Sequence, residues 1–312
     1  MSDKTVKACY RYQTYMAKDF QLRLTDRDSE ILEALDRFPV TAEQLCKLSR
    51  CFAKPFGDAH AVRRRMRKLA AAELVLARPY AVASFGSSPA YYKLTRTGYR
   101  MLHGPDAELP KRRYFDAIGQ ARHPHTRALV DLLVHLFVAT SEAGYRVQRF
   151  ARENSVVFET SVGELRPDAA FQIQTGRRAF NFVVEFDRGT ERVQSTRDTE
   201  SIERKLRGYL SHAKSLSAFD RNRYVVLFVT SRSGLRLKHI MAHASAITMG
   251  WQRTLFLGIS LADFLSADRP LDAACFWDPK FKSASMIPSM KNHGSRPLNL
   301  EPNLLPSFPV FC

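Results

Sequence analysis

The sequence predicts an α/β protein of two folded units, an N-terminal one of short helices closed by a hairpin and a larger one with a mixed sheet flanked by helices. Three observations carry this expectation. Helical periodicity recurs in three segments before residue 72 and then gives way to two alternating stretches on either side of a turn. A strongly apolar segment over residues 125–143 opens a run of alternating strands. From about residue 199, long helical and short apolar segments alternate, as they do where helices cover a sheet.

Residues 1–22 read as a tail and 23–115 as the first unit. Thr25 caps a helix over 26–37 with Ile31, Leu32 and Leu35 on its apolar face. Pro39 ends it. Thr41 caps a second short helix to Leu48, with Gln44 placed for a capping box. In a third helix, over 58–72, Val62, Met66 and Leu69 form a packing stripe, while Arg63, Arg64, Arg65, Arg67 and Lys68 fill the other faces. Alternating segments at 73–83 and 90–95 flank the turn-rich Phe85-Gly86-Ser87-Ser88-Pro89, and a last helix follows over 97–103.

This order of elements resembles a winged helix, whose third helix enters the major groove while the hairpin lies along the phosphates. Arg63, Arg64, Arg67 and Lys68 are then the expected DNA contacts. The unit carries 18 Lys and Arg against 10 Asp and Glu, so it holds part of the chain's basic excess. A winged helix that binds protein, with its basic helix merely solvated, remains the alternative.

Over the whole chain 48 Lys and Arg face 31 Asp and Glu, a net charge of +17, and a polyanionic partner is expected. The basic residues are spread through folded-looking sequence rather than gathered beside an apolar anchor, which favours nucleic acid over a membrane surface. No stretch approaches the length of a membrane span and the first residues lack a signal peptide's apolar region, so a cytoplasmic location is expected. The five cysteines form no CxxC pair and read as ordinary thiols. The chain has neither a GxSxG elbow nor a Gly-rich phosphate loop, which argues against a serine hydrolase and an ATPase.

A basic linker around Leu109–Arg113 leads to the second unit, placed at 116–270, and 271–312 reads as an extended Pro-rich tail. Strands are expected at 145–150, 155–160, 169–174, 179–187, 224–230 and 253–257, with helices at 199–219 and 235–249. If Gly176 and Arg177 form a two-residue turn, Thr175 faces Arg178 and the ladder brings Asp168 opposite Glu185. Like charges opposed across a sheet call for a cation.

Alternation puts Glu185 and Asp187 on one face. On the following helix Lys205 edges a stripe of Ile202, Leu206, Tyr209, Ala213 and Leu216, placed to point toward these carboxylates. Asp131 lies among leucines, where an unpaired carboxylate is costly. His125, at the start of the 125–143 helix, is placed to cap it or to touch a DNA phosphate, whereas His239 and His243 read as surface histidines. One carboxylate at a strand end is ordinarily solvated or salt-bridged. Four so arranged suit Mg²⁺ or Mn²⁺ as much as a structural role, with a phosphodiester as substrate.

The segments Leu165-Arg166-Pro167-Asp168-Ala169 and Val184-Glu185-Phe186-Asp187-Arg188-Gly189-Thr190-Glu191, followed by a helix bearing Lys205 and Tyr209, resemble the replication-relaxation family of plasmids and other mobile elements over about residues 20–265. The resemblance implies a winged helix-turn-helix followed by a PD-(D/E)XK restriction-endonuclease-like domain. His125 and Asp131 match the family's spacing ahead of the hairpin. By the same resemblance Asp131, Asp168 and Glu185 are metal ligands, with Asp187 and Glu191 in support.

The chain is also similar to mobilisation relaxases built on that nuclease fold, which implies nicking of double-stranded DNA at an origin of transfer or replication, with relaxosome or coupling proteins as partners. Asp187 stands where the nuclease pattern has its lysine, and Lys205 is the residue that would supply the charge. A nicking enzyme using Asp168, Glu185, Lys205 and Asp187, or a non-catalytic regulator or accessory protein, are the two functions left open.

Overall fold

The computed structural model describes residues 14–17, 20–81, 88–176, 178–191, 193, 201–217 and 219–288. The chain divides into two compact units, Met1–Val138 and Ala139–Cys312. The division falls inside a helix that the sequence assigns to the second unit alone.

In the first unit, strands β1 (Thr14–Ala17) and β2 (Phe20–Arg23) pair antiparallel within the stretch expected to be a tail. Helices α1 (Asp26–Arg37), α2 (Ala42–Leu48) and α3 (Ala59–Ala71) follow, with β3 (Val40–Thr41) between the first two. The expected capping box at Thr41 forms: Thr41 N donates to Gln44 Oε1 at 2.9 Å, and Thr41 Oγ1 accepts from Gln44 N at 3.2 Å. Thr25 donates from N and Oγ1 to Asp28 Oδ2 at 2.6 and 2.7 Å. Strands β4 (Val75–Pro79) and β5 (Ala90–Leu94) join β3 in the order β3-β5-β4, and α4 (Arg96–His103) ends the set. The expected turn between β4 and β5 lies partly outside the described residues.

Helix α5 (His123–Glu142) gives most of its length to this unit. His123 Nδ1 accepts from Ala81 N at 2.7 Å and Nε2 donates to Ile118 O at 2.9 Å, which holds the ring edge-on to Tyr80. Gln44 Nε2 donates to Asp131 Oδ1 at 2.8 Å, and Phe137 packs on Phe38. These bonds explain why the first sixteen residues of α5 cluster with the N-terminal elements.

The second unit is one seven-stranded sheet in the order β14-β13-β12-β11-β10-β9-β6. Its centre is parallel: β10 (Arg178–Asp187), β11 (Tyr224–Thr230) and β12 (Phe256–Ser260). On one side β9 (Ala169–Thr175) and β6 (Arg146–Arg152) continue it antiparallel. On the other, β13 (Phe276–Trp277) and β14 (Ser283–Ala284) do the same, so part of the expected tail is sheet. Residues 289–312 of that tail lie outside the described residues.

Crossover helices α6 (Ile202–Ser215) and α7 (Gly234–Ile247) connect the parallel strands. Their buried faces meet Val183, Val226, Phe228 and Phe256 through Leu206, Tyr209, Ile240 and Met241. Helix α8 is short (Leu261–Ser266). The strand expected at 155–160 is instead a small separate hairpin, β7 (Phe158–Thr160) with β8 (Gly163–Leu165), packed on α6. No described helix is long and apolar enough to cross a membrane.

Candidate active site in the second unit and basic helix in the first

The β9–β10 register places the first two carboxylates. Arg178 pairs with Thr175 and Val184 with Ala169, so one further step sets Glu185 against Asp168, as the turn chemistry predicts. There Asp168 N donates to Val184 O at 3.1 Å, and Asp168 Oδ2 accepts from Phe186 N at 2.7 Å. The side chain of Asp168 thus closes the ladder where Pro167, with no N–H, ends it.

Glu185 is 2% exposed and points to the α6 side of the sheet. Tyr209 Oη donates to Glu185 Oε1, and Lys205 Nζ lies 3.0 Å from Glu185 Oε2 and 2.8 Å from Glu191 Oε1. Lys205 and Tyr209, four apart, project from one face of α6, so both reach the same carboxylate. The expected cation is present, and it links Glu185 to Glu191, which follows β10 in the chain.

Burial sets the electrostatics. It pushes Glu185 up to about 7 against the pull of Lys205, with the negative Asp168 adding to the rise and the Tyr209 bond opposing it. Burial works against the charge of Lys205 as well, but Glu185 and Glu191 outweigh it and hold the ammonium above its ordinary value. Tyr209, buried beside Glu185, is raised well above 10 and stays a phenol donor. Glu191 Oε2 is buried with no hydrogen-bond partner among the described residues.

Asp187 shares the Glu185 face but has a different environment. Arg236 of α7 donates to both its oxygens, Thr230 Oγ1 donates at 2.9 Å and Gly189 N at 2.9 Å. Burial opposes its ionisation, yet these donors prevail and hold the carboxyl below its ordinary value. Arg236 Nη2 also donates to Glu191 O at 2.6 Å, tying down the segment after β10. The sequence gives no sign of Arg236, since its bond spans 49 residues between elements whose adjacency depends on strand order.

The other expected site residues lie in the first unit. Asp131 accepts from Gln44, as described, and His125 is half-buried in the first turn of α5. On α3 the arginines divide by role. Arg65 donates from Nε and Nη2 to Asp28, which is 1% exposed, and from Nη2 to Arg23 O at 3.2 Å. Arg63 pairs with Glu43, while Arg64, Arg67 and Lys68 are exposed. His239 is exposed and His243 half-exposed on α7.

A family model described as replication-relaxation matches residues 35–226, a span that includes Asp168, Glu185, Asp187, Lys205 and Tyr209. No curated protein and no solved structure matches the chain.

Proposed function

Because the chain belongs to the replication-relaxation family, we propose that it is a DNA-binding protein of plasmid or mobile-element replication or mobilisation that nicks one strand of its target with a divalent metal ion. The observation that carries this reading is the buried cluster in which Lys205 bridges Glu185 and Glu191 while Asp168 stands across the ladder from Glu185.

We take the first unit as a winged helix-turn-helix. Helix α3 is its recognition helix, the β4–β5 hairpin its wing, and Arg64, Arg67 and Lys68, with Arg63 where it parts from Glu43, its DNA contacts. We take the second as a PD-(D/E)XK nuclease-like domain whose lysine has moved from the strand to α6.

The donor types suit a hard cation. Asp168, Glu185 and Glu191 offer carboxylate oxygens with no thiolate or imidazole among them, and Glu191 Oε2 is buried without a hydrogen-bond partner among the described residues. Asp168, Glu185 and Glu191 would hold Mg²⁺ or Mn²⁺, which when bound supplies an acidified water and offsets phosphate charge. Asp131, already engaged by Gln44, is left out of this set. Lys205 contributes positive charge beside the scissile phosphate, and Tyr209 fixes the orientation of Glu185 by holding Oε1.

The test is incubation of supercoiled plasmid carrying an origin of transfer or replication with the protein and Mg²⁺ or Mn²⁺. Open-circle product is expected, and Asp168→Ala should abolish it. No product from the intact protein, or an unchanged yield with Asp168→Ala, overturns the reading.

A second reading is favoured by Asp187, which stands in the place of the usual lysine and is fully bound by Arg236 and Thr230. On that reading the protein is a non-catalytic regulator, or an accessory of a relaxosome or replication complex. Origin binding would then survive EDTA and Glu185→Gln, with no cleavage under any metal.

A further inference from the structure

Arg188 and Arg232 stand at the carboxyl ends of β10 and β11, and neither makes an ion pair with a described residue. Arg236, four residues beyond Arg232 and in the first turn of α7, is by contrast bound by Asp187. Arg232 is exposed, yet its side chain is held in place. Its Nε donates to Arg188 O at 2.6 Å and its backbone N donates to Thr230 Oγ1 at 3.1 Å.

The stem of Arg232 runs across Gly189. A Cβ there would fall 2.9 Å from Arg232 Cγ and Nε, and the glycine's φ of +75° already disfavours any side chain. The same short loops hold Asp187, through Gly189 N and Thr230 Oγ1. Arg232 is therefore built onto the frame that positions the carboxylates, and its terminal nitrogens make no bond to a described residue.

An arginine immobilised for folding alone would be expected to end on a carboxylate, because fixing a long side chain gives up rotamer entropy that a charge partner offsets. Among the described residues this one bonds through Nε alone. Its two Nη groups keep the fork that matches a pair of phosphate oxygens. Ligands of open parallel sheets sit outside the carboxyl ends of the strands, which is where this fork lies.

We infer that Arg232 is a phosphate-binding residue that grips the DNA backbone beside the bond presented to Asp168 and Glu185. The inference rests on the nuclease reading for what lies beside it, but binding alone reports on it. Arg232 contributes affinity and register, while the carboxylate cluster contributes the chemistry.

The experiment uses the full chain and a mixed-sequence duplex in EDTA, with affinity measured by fluorescence anisotropy over a salt series. Each phosphate contact contributes about 0.9 to the slope of log affinity against log salt, so Arg232→Ala should lower that slope by about one. Gly189→Ala, which displaces the stem, should shift it the same way, and Arg232→Lys should recover part of the loss. Lys214→Ala, exposed at the far end of α6 from Lys205, should leave the slope unchanged.

An unchanged slope with Arg232→Ala overturns the inference, as does a loss of affinity matched by a lower melting temperature. Because no metal is present, failure of nicking leaves this result standing. Metal-dependent nicking with an unchanged slope overturns the role of Arg232 alone.

Discussion

Glu185 is the residue on which most of the site's behaviour turns. Its carboxyl, ordinarily near 4.5, lies at about 7 because burial outweighs Lys205 and Tyr209. Between those values the folded chain binds more protons than the unfolded one, so this group's stabilisation is complete below about 4.5 and is lost as pH rises through about 7. Urea melts of the parent should therefore lose stability across that window relative to Glu185→Gln, by an amount on the order of 1–3 kcal/mol. On the proposed nicking function, metal-supported cleavage should rise over the same range, since it is the carboxylate form of Glu185 that would hold the ion. Tyr209→Phe removes a buried donor and leaves Glu185 Oε1 short of a partner, which should cost about 1–3 kcal/mol by the same melts. That Glu185 faces Asp168 was legible, because turn length and a two-residue period determine a ladder. That Asp187 would be bound by Arg236 was not, because no local pattern reports a partner on another crossover.

Within helix α3, adjacent arginines with the same charge carry different loads. Arg65→Ala strips the cation from Asp28 and strands a buried carboxylate, so it should cost about 3–5 kcal/mol in thermal or chemical melts. Arg64→Ala, exposed one position away, should change stability by less than about 0.5 kcal/mol yet weaken DNA binding. The apolar stripe and the caps of this helix could be read from the chain; the division of labour among its arginines could not, because it depends on where α1 passes. Helix α6 offers a parallel case. A Cβ at Gly208 would meet Leu165 Cδ1 at 2.6 Å and Val162 Cγ2 at 2.9 Å. Glycine to alanine inside a helix ordinarily gains about 1 kcal/mol, but overpacking costs about 1–3 kcal/mol and should prevail here. Gly208→Ala should thus lower the melting temperature and, by shifting the β7–β8 hairpin that leads into Asp168, reduce nicking. The expected single strand over 155–160 missed this hairpin, whose docking on α6 through Gly208 and the Arg204 bond to Val162 O is a tertiary matter.

At the scale of the whole molecule, the chain carries a net charge of +17, and the proposed binding to DNA should weaken as salt rises. Replacing Arg64, Arg67 and Lys68 together by alanine should lower the log–log salt slope by about two to three in anisotropy titrations and leave the melting temperature near that of the parent. The chain alone determined the charge, the basic helix, the capped helix starts, the face shared by Glu185 and Asp187, and the opposition of Asp168 to Glu185. All of these follow from composition or from periods of two and 3.6 residues within a few residues of sequence. The folded chain decided the strand order β14-β13-β12-β11-β10-β9-β6, the place of β13 and β14 in a stretch that reads as tail, and the point of division within α5. It also decided that Lys205 joins Glu185 to Glu191 and that Arg236 neutralises Asp187, leaving Arg232 facing solvent. Such pairings depend on which elements become neighbours, and a pattern that fixes only the face a side chain takes carries no information about the element that will cover it.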